Sequence, residues 1–193
     1  MLTAKNHANI AALMAELDNP APAPRHYISA EDDSKGKNEN GQICSQCGGY
    51  CCNKCGCHFS PYDFKEITFE YLKKEMEKGH ISIDSVDGEC IYRRTDVLIL
   101  RARNRDAPVV DLGYHRSPCI LLTDTGCKLD YSHRPAGGRL LIPRVDLKDG
   151  KIVRLRCPST YSIEDCCREW LPYQPILRRL KQYFDGRDIP CSI

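Results

Sequence analysis

The sequence predicts an α+β fold: a small metal-stapled domain with a short antiparallel sheet, a few helices and long Cys-rich loops. Three observations predict it. Six cysteines, Cys44, Cys47, Cys51, Cys52, Cys55 and Cys57, crowd into the run CSQCGGYCCNKCGC. Short strand-like and helix-like stretches follow one another after it, with no internal repeat. A second pair, Cys119 and Cys127, brackets a loop that turns at Asp124-Thr125-Gly126.

The elements follow in order. Ile10, Leu13, Met14 and Leu17 lie at helical spacing within residues 3–17. Asn19 and Pro20 end that helix, and PAPAP is a stiff extended linker. From Ser29 to Gln42 the chain is polar and charged, with almost nothing to bury, which predicts a mobile tether. The organisation is therefore residues 1–40, an N-terminal helix and flexible linker, and residues 41–193, a cysteine-cluster metal-binding domain. The helix either docks on the domain or meets a protein partner.

Ser60-Pro61 is an N-cap with proline at the first helical position. Phe64, Ile67, Thr68, Tyr71 and Leu72 give that helix one face as far as Lys78, and Gly79 stops it. Ile81, Ile83 and Val86 predict a short strand closed by Asp87-Gly88. Residues 91–103 predict a longer strand, and Val109 to Leu112 another. Arg139–Leu147 and Lys151–Leu155 flank Lys148-Asp149-Gly150 as a hairpin. Ser162 and Asp165 form a capping box opening a short helix, which Pro172 interrupts. A last helix runs from Pro175 to Phe184 and ends at Asp185-Gly186. Trp170 and Tyr173 beside Pro172 belong to the core rather than to a stacking platform.

Composition narrows the chemistry. Thirteen cysteines in 193 residues is an odd number, so they cannot all pair within one chain. The N-terminus lacks a basic region followed by a long apolar run, and no stretch approaches the roughly 18 apolar residues of a membrane span. A cytoplasmic chain is expected, with reduced thiols that favour metal over disulfides. Adjacent Cys51 and Cys52 cannot easily bridge to each other, and C-x2-C aims two sulfurs at one metal from a tight turn. Gly48, Gly49 and Gly56 let the loop bend back on the same centre.

Together these motifs resemble the YkgJ-like cysteine-cluster family, whose members are described as zinc- or iron-chelating. The shared pattern is Cys44-x2-Cys47-x3-Cys51-Cys52, then Cys119-Ile120-Leu121-Leu122, Gly126-Cys127 and Arg134-Pro135. It spans roughly residues 41–160. The resemblance implies a metal site built from Cys44, Cys47, Cys51 and Cys52 on one arm and Cys119 and Cys127 on the other. One position departs: Gly138 precedes Arg139 where the family has cysteine. Cys157 is the expected replacement, with Cys166-Cys167 or Cys55 and Cys57 as the alternatives.

All-sulfur ligation suits an iron–sulfur cluster or zinc, and the excess of thiols over the needs of one metal atom places the cluster first. His58 and His115 are read as ordinary loop histidines, though either can complete a zinc site. Arg101, Arg103 and Arg105 at alternate positions predict a solvated strand face balanced by the acidic helix Asp63–Glu77. An anion-binding surface is the other reading. Nucleic acid is not an expected partner, because the net charge is only +2 and aromatic residues rarely interleave with the basic ones. G-x-S-x-G, P-loop and H-E-x-x-H motifs are absent, and no catalytic residue is assigned. The expected function is metal binding with a redox, electron-transfer or structural role. The alternatives are a metalloenzyme acting on an anionic substrate and a zinc-stabilised interaction module.

Overall fold

At the centre lies a hairpin of β1 (Ile81–Val86) and β2 (Val97–Ala102), paired antiparallel from Ile81 opposite Ala102 to Val86 opposite Val97. The computed structural model describes residues 49, 52–86, 96–113, 115–124, 126–141, 144–148, 151–156 and 159–190. Every residue of β2 is buried, so VLILRA lacks polar alternation because both of its faces are covered. Two short stretches widen the hairpin. On the β2 edge, Phe59 N–H donates to Leu100 O and Ala102 N–H to Cys57 O, both at 2.9 Å, with His58 opposite Arg101. On the β1 edge, Val110 runs parallel to Ile83, joined by Ile83 N–H to Val109 O at 2.8 Å and Asp111 N–H to Ile83 O at 2.9 Å. The cysteine-loop exit is thus stitched to a strand buried along its whole length.

Among the described residues the helices are α1 (Phe69–Met76), the single turn α2 (Ala136–Arg139), α3 (Ile163–Trp170) and α4 (Gln174–Phe184), of which α1, α3 and α4 pack on this ladder. Thr68 caps α1 and Ser162 caps α3, each side chain accepting a bond from a backbone N–H three residues on. On α4, Ile176, Leu177, Leu180 and Phe184 recur at helical spacing and are buried, facing β2 and α1. Trp170 at the end of α3 is fully buried, and its Nε1–H donates to Phe59 O at 2.8 Å. Gln174 acts as a substitute strand: its side chain accepts from Leu98 N–H at 2.9 Å and donates to Leu98 O at 2.8 Å. Two more hairpins complete the α+β arrangement, β3 (Leu122–Thr123) with β4 (Gly126–Cys127) and β5 (Arg144–Lys148) with β6 (Lys151–Arg156). No helix among the described residues is long and apolar enough to cross a membrane.

Several expectations need correction. Ser60 caps only the 3-10 turn Pro61–Asp63, and α1 starts afresh after Thr68. Between them Phe64 is extended, its ring 5.3 Å from Phe59 and 6.0 Å from Trp170, so core packing overrides the helical pattern. Val109 to Leu112 contributes one bridge rather than a strand. The arginines do not form a solvated face. Arg101 is fully buried, bonding Asp84 through Nε at 2.9 Å and Asp111 through a second nitrogen. Arg103 donates to Ala107 O at 2.7 Å and Ile189 O at 2.6 Å; only Arg105 is exposed, and it donates to Leu122 O. The helix at 3–17, the linker, residues 91–95 of the longer strand and the turns at Asp87-Gly88 and Asp149-Gly150 lie outside the described residues.

Candidate metal centre

Of the seven predicted ligands, Cys44, Cys47, Cys51 and Cys157 lie outside the described residues, while Cys52, Cys119 and Cys127 lie within them. The arms that carry these three meet. Cys119 N–H donates to Cys52 O at 2.7 Å, joining positions far apart in sequence. Gly49, with φ of 68°, lies so close to Leu122 that a Cβ on it would sit 2.4 Å from Leu122 Cδ1. Leu122 in turn pairs with Cys127 across the β3–β4 hairpin. The glycine therefore serves both the turn and the close approach of the arms.

Asn104 pins the arrangement, and the sequence offered only one weak sign of it, a polar residue ending the run VLILRARN. It is fully buried; its Oδ1 accepts from Gly56 N–H at 2.7 Å and its Nδ2 donates to His115 O. Its backbone bridges Cys119, flanked by Arg105 N–H to Pro118 O at 2.7 Å and Ile120 N–H to Arg103 O at 2.9 Å. One amide thus ties the cysteine loop, the 115–119 loop and the end of β2 together. Gly56 permits this closeness, since a Cβ there would lie 1.8 Å from Ala102 O.

The electrostatics follow from burial. Burial pushes the Cys119 thiol up to about 11, and nearby Cys127 and Cys55 push the same way, against the backbone at Leu121 and the Arg101 guanidinium. A buried thiol whose ionisation is opposed by burial gives up its proton most readily when a cation binds its sulfur, and soft sulfur donors suit zinc or iron. The donor chemistry therefore fits such a group. Among the described residues no three His, Cys, Asp or Glu side chains already form a group that holds a metal ion. Cys55, Cys57, Cys119, Cys127, Cys166 and Cys167 are free thiols rather than disulfides.

The remaining candidates occupy distinct places. Cys57 faces α2, where a Cβ on Gly138 would sit 3.7 Å from its Sγ. Cys166 and Cys167 are buried on α3, with Cys166 Sγ 3.7 Å from Phe59 O, and burial raises both thiols, Cys167 to about 11. That is the environment of packed core cysteines. Burial first, then Arg101, holds His58 down to about 4, so its ring is neutral at pH 7. His115 presents a mostly exposed ring whose Nδ1 bonds the buried Asp111 carboxylate. A separate knot lies under α3, where Glu169 accepts from Ser60 Oγ and Tyr161 Oη, both at 2.6 Å. Asp63 links it to α2 by accepting from Ala136 N–H at 2.8 Å and Arg139 at 2.6 Å. No protein-family model, curated protein or solved structure matches this chain.

Proposed function

We propose that the chain is a metal-binding cysteine-cluster protein of the YkgJ-like type, holding an iron–sulfur cluster or zinc between its two cysteine arms. The observation that carries this reading is the direct bond between the Cys52 and Cys119 backbones, with Cys127 and Cys55 in electrostatic reach of the Cys119 thiol. Cys44, Cys47, Cys51 and Cys157 supply further sulfurs in this reading. An iron–sulfur cluster gives the protein a redox or electron-transfer role in the cytoplasm; zinc gives it a structural role as an interaction module. The 1–40 segment is then the natural place for a protein partner. The reading as an enzyme that grips an anionic substrate loses its main support, because Arg101 and Arg103 are engaged inside the fold.

Anaerobic purification followed by metal analysis and visible spectroscopy tests the proposal. Stoichiometric iron with acid-labile sulfide and a brown colour supports the cluster; colourless protein with stoichiometric zinc supports the structural form. Protein that retains neither metal, and takes up neither on reconstitution, refutes both.

A further inference from the structure

We infer that His115 is a pH-sensitive latch: its protonated ring fastens the loop that follows Asp111 onto a buried cluster of charge, and deprotonation loosens it. The latch needs no metal and is independent of the reading above. Charge gives the first argument. Asp84 and Asp111 are both buried, and both accept from Arg101, which is fully buried between them. Two carboxylates against one guanidinium leave one negative charge over within this trio. Burial makes such an excess costly unless a further cation meets it. The other oxygen of Asp111 bonds His115 Nδ1, so this imidazole is placed to supply that cation.

Position gives the second. The Asp111 side chain is 0% exposed and the His115 side chain 63% exposed, so the ring can exchange protons with solvent while its partner stays inside the fold. The backbone holds the ring in place. His115 N–H lies 3.2 Å from both Asp111 oxygens, and His115 O accepts from the side-chain amide of the buried Asn104. A neutral ring keeps a hydrogen bond to Asp111; a protonated ring adds a full charge to it. The contribution is therefore present while the ring is protonated and is lost as pH rises through the histidine range.

The surrounding charges do not provide the same switch. His58 lies opposite Arg101 and so on the same face of the ladder, but burial and then Arg101 hold it down to about 4. Burial pushes the Cys119 thiol up to about 11, so it stays protonated near neutral pH. Arg101, Arg105 and Arg116 carry their charge throughout, because a guanidinium does not lose its proton in this range. Burial raises the Asp84 carboxyl against the pull of Arg101, which makes Asp84 the competing group on the acid side.

The test uses the full chain as wild type, His115→Gln and His115→Lys. Both substitutions fall on an exposed side chain and spare the buried trio. Amide hydrogen exchange by NMR gives the protection of residue 115 at pH 5.5 and pH 8, corrected for the intrinsic rate at each pH, with the Ile83 amide of the core as reference. Wild type is expected to be roughly two- to fivefold better protected at the lower pH, the scale of a partly exposed ion pair. His115→Gln never gains the charge and should show no such change. His115→Lys is charged at both pH values and should be protected alike at both, above the Gln variant. A flat wild-type response overturns the latch. A His115→Gln protein that keeps the wild-type response also overturns it, and assigns the titration to Asp84. A His115→Lys protein no better protected than His115→Gln shows that charge does not fasten the loop, and the inference fails.

Discussion

Replacing Arg101 with Gln is expected to destabilise the fold severely, although its sequence position suggests an exposed residue on a polar strand face. Its guanidinium is fully buried between Asp84 and Asp111, both buried as well. Gln keeps part of the volume but removes the guanidinium charge that compensates two buried carboxylates. Breaking a buried pair by deleting one partner costs about 3–5 kcal/mol. For a chain of this size, that lowers the melting temperature by roughly 6–20 °C. Arg105→Gln, at an exposed residue whose side chain donates to Leu122 O, should lose no more than about 1 kcal/mol.

The pH dependence carries a sign. Burial raises the Asp84 carboxyl, and Arg101 is the largest opposing influence. Removing Arg101 raises it further above its unfolded value of about 3.9. A group raised on folding contributes stability fully present below its unfolded pKa and lost as pH climbs through the folded one. The Arg101→Gln deficit should therefore be small near pH 4, grow towards pH 7, and change little with added salt, because the pair is buried. Thermal melts by circular dichroism across that range decide it. A variant within about 2 °C of wild type at pH 7, or a deficit that grows on acidification, refutes the reasoning.

Gln174→Ala should cost about 2–4 kcal/mol, since it strands the buried N–H and C=O of Leu98 together, and hydrogen exchange at Leu98 should accelerate accordingly. Gly56→Ala should cost at least the roughly 1–3 kcal/mol typical of overpacking, because the new methyl meets backbone rather than a movable side chain. Its metal content should fall along with its melting temperature; unchanged values for both would mean the loop does not need this approach. Trp170→Phe leaves Phe59 O without its 2.8 Å donor and opens a gap in the core, and should lose about 2–4 kcal/mol by chemical denaturation.

Local chemistry made much of the architecture legible. Ile81–Val86 and the last helix announce themselves through β-branched alternation, helical apolar spacing and clear stop residues. Ser162 caps its helix as its position suggests, and Trp170 and Tyr173 are core residues. What stayed hidden depended on partners distant in sequence. Nothing near Arg101 reveals that Asp84 and Asp111 converge on it, so alternation alone suggested a solvated face. Phe64 fits a helical face, yet its ring packs tilted against Phe59 and edge-on to Trp170, with the backbone extended. Cysteine spacing brought out both arms, but Asn104, which ties them, is one unremarkable polar residue at the end of an apolar strand.

The central claim is that both cysteine arms hold one metal centre, and the metal content of Cys119→Ser beside Cys167→Ser tests it most directly. Cys119 sits where the arms bond to each other, whereas Cys167 is a buried thiol on α3. Metal per folded chain, measured by elemental analysis after anaerobic purification, should drop by more than half in Cys119→Ser and stay at the wild-type level in Cys167→Ser. Wild-type metal content in a folded Cys119→Ser protein would contradict the account.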